Sequence, residues 1–441
     1  MAIFLAIALL LALGLGFLNP FAGLMGLLAI DVIQPGELYP IFNTLHVERL
    51  AAIFVLASLL LHQGRISFKS PMSKPVLLFW AALFASVPLA YWRINSLEGA
   101  LSFYRTIVYF FLITNLVTTL PRLKMLIGVY VALNGWLAIS SYWAYKSGYY
   151  YVSSTFGRAE GLTSSGGDPN SLGITLVCGI PFAALLLFYG NVRLRLLALA
   201  TIAASLLTLI LTASRTSFFG FVALVIVFTF TRRNKIFIVP VAVLIVCGLF
   251  VLAPAEYQQR YLSVEQRNQD ESYINRVYAW EAGLAMMEHN PLTGIGMHNF
   301  ADANGGKYWP RPGRKHWLQP HSLYVQVGAE LGIVGIAAFA YFLWSLYRLN
   351  RAMRRNTAGK ERFPKWIQQY PTACNFSLFV LLFTGFTSHS LYRGTWFMLA
   401  AITACAYSLT EGAAKEEVPV EVERVFAQDH AWTAAGQEVS S

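Results

Sequence analysis

The sequence has few charged residues for its length. Asp, Glu, Lys and Arg make up only 12% of the 441 residues, whereas 56% are hydrophobic and 15% are aromatic. So few charges cannot coat a soluble globule of this size, which excludes an ordinary soluble domain. The composition indicates a polytopic membrane protein.

Cysteine is also scarce, and no metal-binding pattern is visible. The four cysteines all lie in apolar stretches, where each acts most simply as a small apolar residue; they are Cys178, Cys247, Cys374 and Cys405. His298 and His316 lack the spacing of an HExxH motif or of a Cys/His site. We therefore predict no disulfide framework, no metal and no cofactor.

The formal net charge of +11 does not indicate nucleic-acid binding, because the basic residues have an ordered distribution. Arg and Lys cluster in short loops, and these loops all fall on one side when the apolar stretches alternate across a membrane. By the positive-inside rule that side is cytoplasmic. The predicted cytoplasmic loops are 63–74, 121–124, 190–195, 231–235 and 348–365.

Apolar stretches that approach the roughly 20 residues needed to cross a bilayer recur eleven times after residue 48. They lie at about 49–62, 75–92, 100–119, 125–145, 171–189, 196–213, 217–230, 236–253, 322–347, 372–388 and 395–409. Pro20 divides the apolar first 33 residues into one broken span or a hairpin; a cleaved signal peptide is disfavoured because no basic segment precedes the apolar run. The sequence predicts an all-α polytopic membrane protein with about 12 transmembrane helices.

Four regions follow from this pattern. Residues 1–253 are predicted transmembrane helices with short loops, 254–320 a periplasmic loop domain, 321–410 further transmembrane helices and 411–441 a cytoplasmic tail. The large loop has balanced charge, which is typical of a folded segment. Within it, apolar residues at helical spacing predict an amphipathic helix that ends at the sequence NPLTGIG. These residues are Tyr273, Val277, Trp280, Leu284 and Met287.

Arg215 lies between two apolar stretches in the sequence LTASRTSFFGF. A guanidinium near hydrocarbon is costly, so it sits at an interface, pairs, or binds a ligand. One interpretation is an arginine that only marks the outer end of a helix. The other is a phosphate-binding site, because Ser214 and Thr216 place hydroxyls beside the guanidinium.

Arg276 is the second cationic candidate. It lies four residues before Trp280 on the predicted helix, which allows cation–π packing. A salt bridge to Asp270, Glu271 or Glu281 is equally compatible with the spacing. Ligand binding is the third interpretation.

The sequence WLQPHSLYVQVGAELGIVG contains a histidine and an intramembrane carboxylate. Pro320 is expected to start a helix with His321 in its first turn, where the helix dipole favours a neutral ring able to act as a base. An interfacial histidine with no further role is the alternative. Glu330, deep in the same helix, is either a site residue or half of a structural pair. Tyr324 is a possible supporting residue, and Gly328, Gly332 and Gly335 form a stripe that lets another helix approach.

Residues 157–173, with the sequence GRAEGLTSSGGDPNSLG, are first of all a flexible loop ending in a turn. Such a loop could also order over a substrate, so Asp168 and Asn170 are possible supporting residues.

These segments, taken in order, resemble the superfamily of bacterial O-antigen ligases and O-antigen polymerases. The resemblance is carried by GDPN at 167–170, SRT at 214–216, NRVYAWEAGLAMMEHNPLTGIGMHNF at 275–300 and HSLYVQVGAELGIVG at 321–335. The N-terminal region also resembles the O-glycosylation ligases of the exosortase group.

The resemblance implies a metal-independent glycosyltransferase of the bacterial inner membrane whose site faces the periplasm. The donor is then a glycan on undecaprenyl diphosphate, and for a ligase the acceptor is a sugar hydroxyl of lipid A–core. Arg215 and Arg276 would bind the diphosphate and His321 would be the catalytic base, with inversion at the anomeric carbon.

Two other functions are compatible with parts of the pattern. A polymerase or an O-glycosylation ligase would share the donor and differ in the acceptor. A transporter of lipid-linked glycans would also need many spans, but transporters tend to place charges at mid-membrane. Because Arg215, Arg276 and His321 gather on one face, an enzyme is favoured over a transporter. The size of the single loop 254–320, together with the overall pattern, favours an O-antigen ligase over a polymerase.

Overall fold

The computed structural model describes residues 14, 16–152, 156–163, 167–231, 235–262, 271–313 and 315–415. The described chain is a bundle of α-helices with one short β-hairpin, which confirms the predicted all-α membrane fold. The helices are α1 Pro20–Ile33, α2 Pro35–Leu38, α3 Pro40–Thr44, α4 Val47–Gln63, α5 Ser73–Ala85, α6 Arg93–Ser102, α7 Tyr104–Leu116, α8 Leu120–Lys146, α9 Pro169–Tyr189, α10 Val192–Leu211, α11 Arg215–Phe230, α12 Lys235–Leu252, α13 Ala255–Leu262, α14 Glu271–His289, α15 Phe300–Gly305, α16 Leu323–Thr357, α17 Lys365–Thr384 and α18 Gly394–Lys415. Strands β1 Tyr151–Val152 and β2 Gly157–Arg158 pair antiparallel.

Several helices are long and apolar enough to cross a membrane. Among the described residues five satisfy both conditions, namely Arg93–Leu116, Leu120–Lys146, Pro169–Tyr189, Val192–Leu211 and Leu323–Thr357. A sixth span is possible if the pair Ile238–Leu252 and Ala255–Leu262, bent by 118°, counts as one. Three shorter apolar helices accompany them. The total of about 12 spans stays a prediction.

Helix ends follow local sequence signals. The Asn19 side chain accepts hydrogen bonds from the Phe21 and Ala22 amides, so α1 begins at Pro20, where the sequence predicted a break. The predicted stretch 75–92 ends as a helix already at Ala85, and Pro88 follows within three residues.

Helix α9 occupies the centre of the bundle. It packs against α8, α10, α11 and α17 along most of its length. Asp168 caps its N-terminus by accepting hydrogen bonds from the amides of Asn170 and Ser171. Asp168, the N-cap of this central helix, therefore lies close to the ends of the neighbouring helices.

The predicted loop domain 254–320, here called the outer segment, has among its described residues a small core that it shares with α16. Ala279, Ala282 and Met286 of α14 pack with Phe300 and Ala329. The predicted helix is present as α14. Its small residues permit a close approach to α16, whereas Leu284 of the predicted apolar face is 62% exposed, which is compatible with a helix face that lies on a membrane.

Helix α16 is interrupted where it meets this segment. Gly332 adopts φ 61° and ψ −158°, a conformation open essentially to glycine alone. The amides of Ile295 and Gly296 donate to the carbonyls of Ala329 and Glu330 at 2.9 Å. A stretch of turns after α14 thus replaces part of the hydrogen bonding within α16.

The predicted glycine stripe is structural at two of its three positions. A Cβ on Gly328 would lie 2.6 Å from Met287 Cε, and one on Gly332 would lie 2.5 Å from the carbonyl carbon of Leu292. Gly335 meets only Leu331 of its own helix. The lack of a side chain at Gly328 and Gly332 therefore lets the outer segment, and not a second transmembrane helix, approach α16 closely.

We expect Gly332→Ala to destabilise the protein. The left-handed conformation alone costs roughly 1–3 kcal/mol for a non-glycine residue, and the clash with Leu292 adds to it. Gly248→Ala is the matched control, because no atom lies within 4 Å of its added Cβ. The measurement is the temperature at which each purified variant loses monodisperse elution; equal temperatures would contradict the strain.

Candidate functional site

The starts of α9 and α11 meet through a shared asparagine. Asn170 Oδ1 accepts hydrogen bonds from Ser214 Oγ at 2.8 Å and from Arg158 Nη2 at 3.1 Å. Ser214 also caps α11 by accepting from the Ser217 amide. Residues from three separate loops are therefore fixed at one end of the bundle.

The loop between α17 and α18 joins the same end. Thr216 Oγ1 lies 2.9 Å from Thr387 Oγ1, and the Leu323 amide donates to the Gly385 carbonyl at 2.7 Å. These bonds fix the loop against the starts of both α11 and α16. Arg215, half-buried between Ser214 and Thr216, shares this position.

His321 lies just before the N-cap of α16. The helix begins at Leu323 with Ser322 as its cap, so the prediction that His321 occupies the first turn was wrong. Its φ of 44° sets the ring apart from the helix axis, and Trp280 Nε1 donates to the preceding Pro320 carbonyl at 3.0 Å. Helix α14 thereby positions the histidine through its backbone.

The rings of His321 and His389 lie 5.3 Å apart between centroids. Burial, helped by the nearby His389 and Arg276 and opposed by Asp168, lowers the pKa of His321 to about 4. Burial and Arg393 lower the pKa of His389 as well. Both rings are therefore neutral at neutral pH. The predicted neutrality of His321 follows from burial and not from a helix dipole.

Arg393 closes the cluster on the side of α9. Its Nη2 donates to Ser171 Oγ at 2.6 Å and its Nη1 to the Ser171 carbonyl at 3.0 Å. Ser171 Oγ in turn donates to Asp168 Oδ2 at 2.5 Å. Burial raises the pKa of Asp168, but hydrogen bonds from Ser171 and the Asn170 amide, together with Arg393, outweigh burial and lower it. Asp168 is thus a carboxylate among cations.

The structure brings most of the predicted site residues together. Contacts within one end of the bundle, or electrostatic interactions across it, link residues predicted from four separate stretches of sequence. These residues are Asp168, Asn170, Ser214, Thr216, Arg276 and His321. Arg215 lies within the same end between two of them.

Glu330 and Tyr324 lie beside this group. Buried Glu330 accepts a hydrogen bond from Tyr392 at 2.7 Å and from the Phe300 amide at 3.4 Å, which joins α16 to the outer segment and to the last loop. The Tyr324 hydroxyl donates to the Leu382 carbonyl at 3.0 Å. The contacts of Glu330 are those of a structural pair.

The alternative partners predicted for Arg276 are partly engaged elsewhere. Glu281 forms an ion pair with Arg311 at 2.9 Å, and Asp270 lies outside the described residues. The proximity of Arg276 to both histidines is the feature that bears on chemistry.

Sequence reasoning missed three members of the group: Arg158, His389 and Arg393. The last two stand at the tip 389–394, which the alternation of spans already placed on the same side as Arg215. An arginine in a short tip between two apolar stretches is the same sequence feature that made Arg215 a candidate in the sequence SRT. Among the described residues no group of three or more His, Cys, Asp or Glu could hold a metal ion.

Two comparisons with known proteins found similar sequences. Residues 200–340 match the family model described as O-Antigen ligase. The chain is 25% identical over 311 residues to a "Putative polysaccharide ligase" of Rickettsia felis, covering 67% of this chain and 73% of that protein. It is 28% identical over 139 residues to "Putative polysaccharide ligase RC0486" of Rickettsia conorii, covering 29% and 33%.

Fold and site together define a multi-pass membrane protein with a polar, cationic cluster at one end of its helix bundle. The match over residues 200–340 and the similarity to the two relatives support a relation to the O-antigen ligase superfamily. This similarity supports an O-antigen ligase-type function and suggests an enzyme.

Proposed function

We propose that this protein transfers a glycan from undecaprenyl diphosphate to a sugar hydroxyl of lipid A–core at the periplasmic face of the inner membrane. The observation that carries the proposal is the meeting of Arg276, His321 and Asp168 at one end of the bundle. An anionic donor needs fixed cations, and an attacking hydroxyl needs a neutral base. This group offers both.

The two predicted arginines suit a diphosphate. Each guanidinium presents parallel N–H donors that match two phosphate oxygens, and such charge-assisted bonds strengthen as the leaving diphosphate gains charge. Arg276 belongs to the outer segment and Arg215 to the start of α11. Cations on two separate elements can hold the diphosphate between them without a metal ion.

His321 serves as the base in a single displacement. The acceptor oxygen bonds to the anomeric carbon while the bond from that carbon to the diphosphate oxygen breaks, and the electron pair leaves on the diphosphate. The acceptor proton moves to a ring nitrogen of His321. The carboxylate of Asp168 stabilises the resulting imidazolium. One displacement inverts the anomeric configuration.

The pH dependence should report a base with a depressed pKa. A protonated ring cannot accept a proton, so kcat/KM should fall on the acid side only as the pH approaches about 4, and not near 6.5. Asp168→Asn should move this limb to lower pH, because removal of the carboxylate removes the interaction that raises the pKa of His321. Initial rates between about pH 4 and pH 8 test this; an acid limb near 6.5 would contradict it.

The proposed sidedness can be tested by labelling. Residues 348–365, which the structure divides between the end of α16, a short loop and the start of α17, contain seven basic residues and are proposed as cytoplasmic, whereas the outer segment is proposed as periplasmic. In a Cys247→Ser background, Lys307→Cys should react with a membrane-impermeant maleimide in cells with a permeabilised outer membrane. Lys360→Cys should not. The reverse pattern would refute the topology.

The function itself is tested with purified protein, a glycan on undecaprenyl diphosphate, and EDTA throughout. Lipid A–core carrying the glycan is the expected product. Longer lipid-linked glycans would indicate a polymerase instead, and transfer to a protein acceptor would indicate an O-glycosylation ligase. Vesicle translocation without transfer would indicate a transporter, and a requirement for divalent ions would overturn the metal-free mechanism.

A further inference from the structure

A cavity of about 550 Å³ opens beside the histidine and arginine cluster. Ser171 and Arg393 belong to its wall and also to the hydrogen-bonded chain that leads to Asp168. The cavity is therefore continuous with the proposed reaction site. Its volume lies within the roughly 300–1,000 Å³ typical of small-molecule sites.

The far wall of this cavity comes from the N-terminal part of the chain, which the proposed mechanism does not use. Asp31, in the last turn of α1, lines the cavity beside Arg105 and Tyr109 of α7 and is hydrogen-bonded to Tyr109. Tyr109 donates a hydrogen bond to Glu48 at 3.3 Å, and Arg105 lies 3.4 Å from the same carboxylate. These contacts with Glu48 hold the Arg105 guanidinium and the Tyr109 ring in place at the cavity wall.

The rest of the wall mixes polar, aromatic and aliphatic side chains. Thr106 and Thr175 add hydroxyls, Phe103, Phe110 and Phe397 add rings, and leucine, valine, isoleucine and methionine side chains complete it. A sugar ring presents hydroxyls at its rim and C–H groups on its faces, so it can use all of these contacts. An isoprenoid chain would use only the apolar part of the wall and would place hydrocarbon against the Asp31 carboxylate, which is costly.

A second cavity of the same protein provides the contrast. It measures about 210 Å³, lies between α9, α10, α11 and α17, and is apolar except for a few side chains such as Gln369 and Thr372. A wall of that kind suits a hydrocarbon chain. The larger cavity differs because charged and hydroxyl-bearing side chains accompany its apolar ones.

We infer that the larger cavity binds a sugar residue of one of the two glycan substrates, an inference that rests on the proposed function. Asp31 accepts hydrogen bonds from sugar hydroxyls and Arg105 donates to sugar oxygens, while the phenyl rings pack against a sugar face. At the other end Arg393 lies between this sugar and the diphosphate. The polar wall selects for hydroxylated ligands, because a ligand without hydroxyls leaves its groups unpaired.

The test measures binding to the full-length protein in phospholipid nanodiscs. The probes are bare undecaprenyl diphosphate, undecaprenyl diphosphate carrying its oligosaccharide, and the delipidated core oligosaccharide. Asp31→Asn and Tyr109→Phe are the variants, and Glu98→Gln, which removes an exposed carboxylate outside the cavity, is the control. Monodisperse elution and a wild-type melting temperature show, independently of binding, that each variant is folded.

We expect both variants to bind one sugar-bearing probe about tenfold more weakly than the wild type, with the bare lipid unaffected. Weakening of the lipid-linked oligosaccharide assigns the cavity to the donor; weakening of the core oligosaccharide assigns it to the acceptor. Equal weakening of the bare lipid would instead place the isoprenoid chain in the cavity and overturn the inference. Unchanged binding of all three probes would also overturn it and leave the proposed function intact. A wild type that binds none of them would overturn both.

Discussion

His321→Ala should lower the rate of glycan transfer by about 10²–10⁴-fold, the loss typical of removing a general base, while the donor still binds. The reason is that the imidazole acts only on the acceptor proton, whereas arginines hold the diphosphate. Burial keeps the ring neutral by lowering its pKa to about 4. In this variant turnover should therefore fall while donor affinity stays at the wild-type value.

His316→Ala is the matched control, because His316 is an exposed histidine whose ring packs against Trp309. It should transfer glycan at the wild-type rate. His389→Ala should show a smaller loss than His321→Ala, since His389 acts on the neighbouring ring and not on substrate. Wild-type turnover in His321→Ala would refute the assignment of the base.

The helices and their order could be predicted because local signals decide them. Asn19, Asp168 and Ser214 each cap a helix at the point where the apolar pattern begins. The outer segment could be predicted as folded from its balanced charge. Alternation of spans also placed the residues of the site on one side, and the structure brings most of them into contact.

The remaining features depend on tertiary contacts that no local pattern encodes. The interruption of α16 at Gly332 exists because the amides of Ile295 and Gly296 replace helical donors from a distant part of the chain. The position of His321 before the helix depends on Trp280, which binds the Pro320 carbonyl. The cavity beside Arg393 requires α1 and α7 to approach from the other end of the sequence.

The charged residues of the site differ in whether other protein groups bind them. Asp168 and Arg393 are joined through Ser171, so each is partly satisfied within the protein. Arg276 exerts its electrostatic influence on both histidines, where an anion between them would be stabilised most. The donor diphosphate is the group expected to occupy that position.

Arg276→Ala should weaken binding of the undecaprenyl diphosphate donor by about 10–100-fold, because a charge-assisted hydrogen bond is worth roughly 1.5–3 kcal/mol. Arg215→Lys should weaken it too although the charge is kept, since an ammonium cannot bind two phosphate oxygens with the geometry of a guanidinium. Arg311→Ala, which removes an exposed arginine of the same outer segment, is the control.

Donor affinity and turnover must be measured together in each purified variant. Loss of affinity in Arg276→Ala and Arg215→Lys, with Arg311→Ala unchanged, would locate the diphosphate between the outer segment and the start of α11. If Arg215→Ala bound donor as tightly as the wild type, Arg215 would only mark the outer end of its helix. If Arg276→Ala did so, the role of Arg276 would be limited to packing in α14 and to the low pKa of His321.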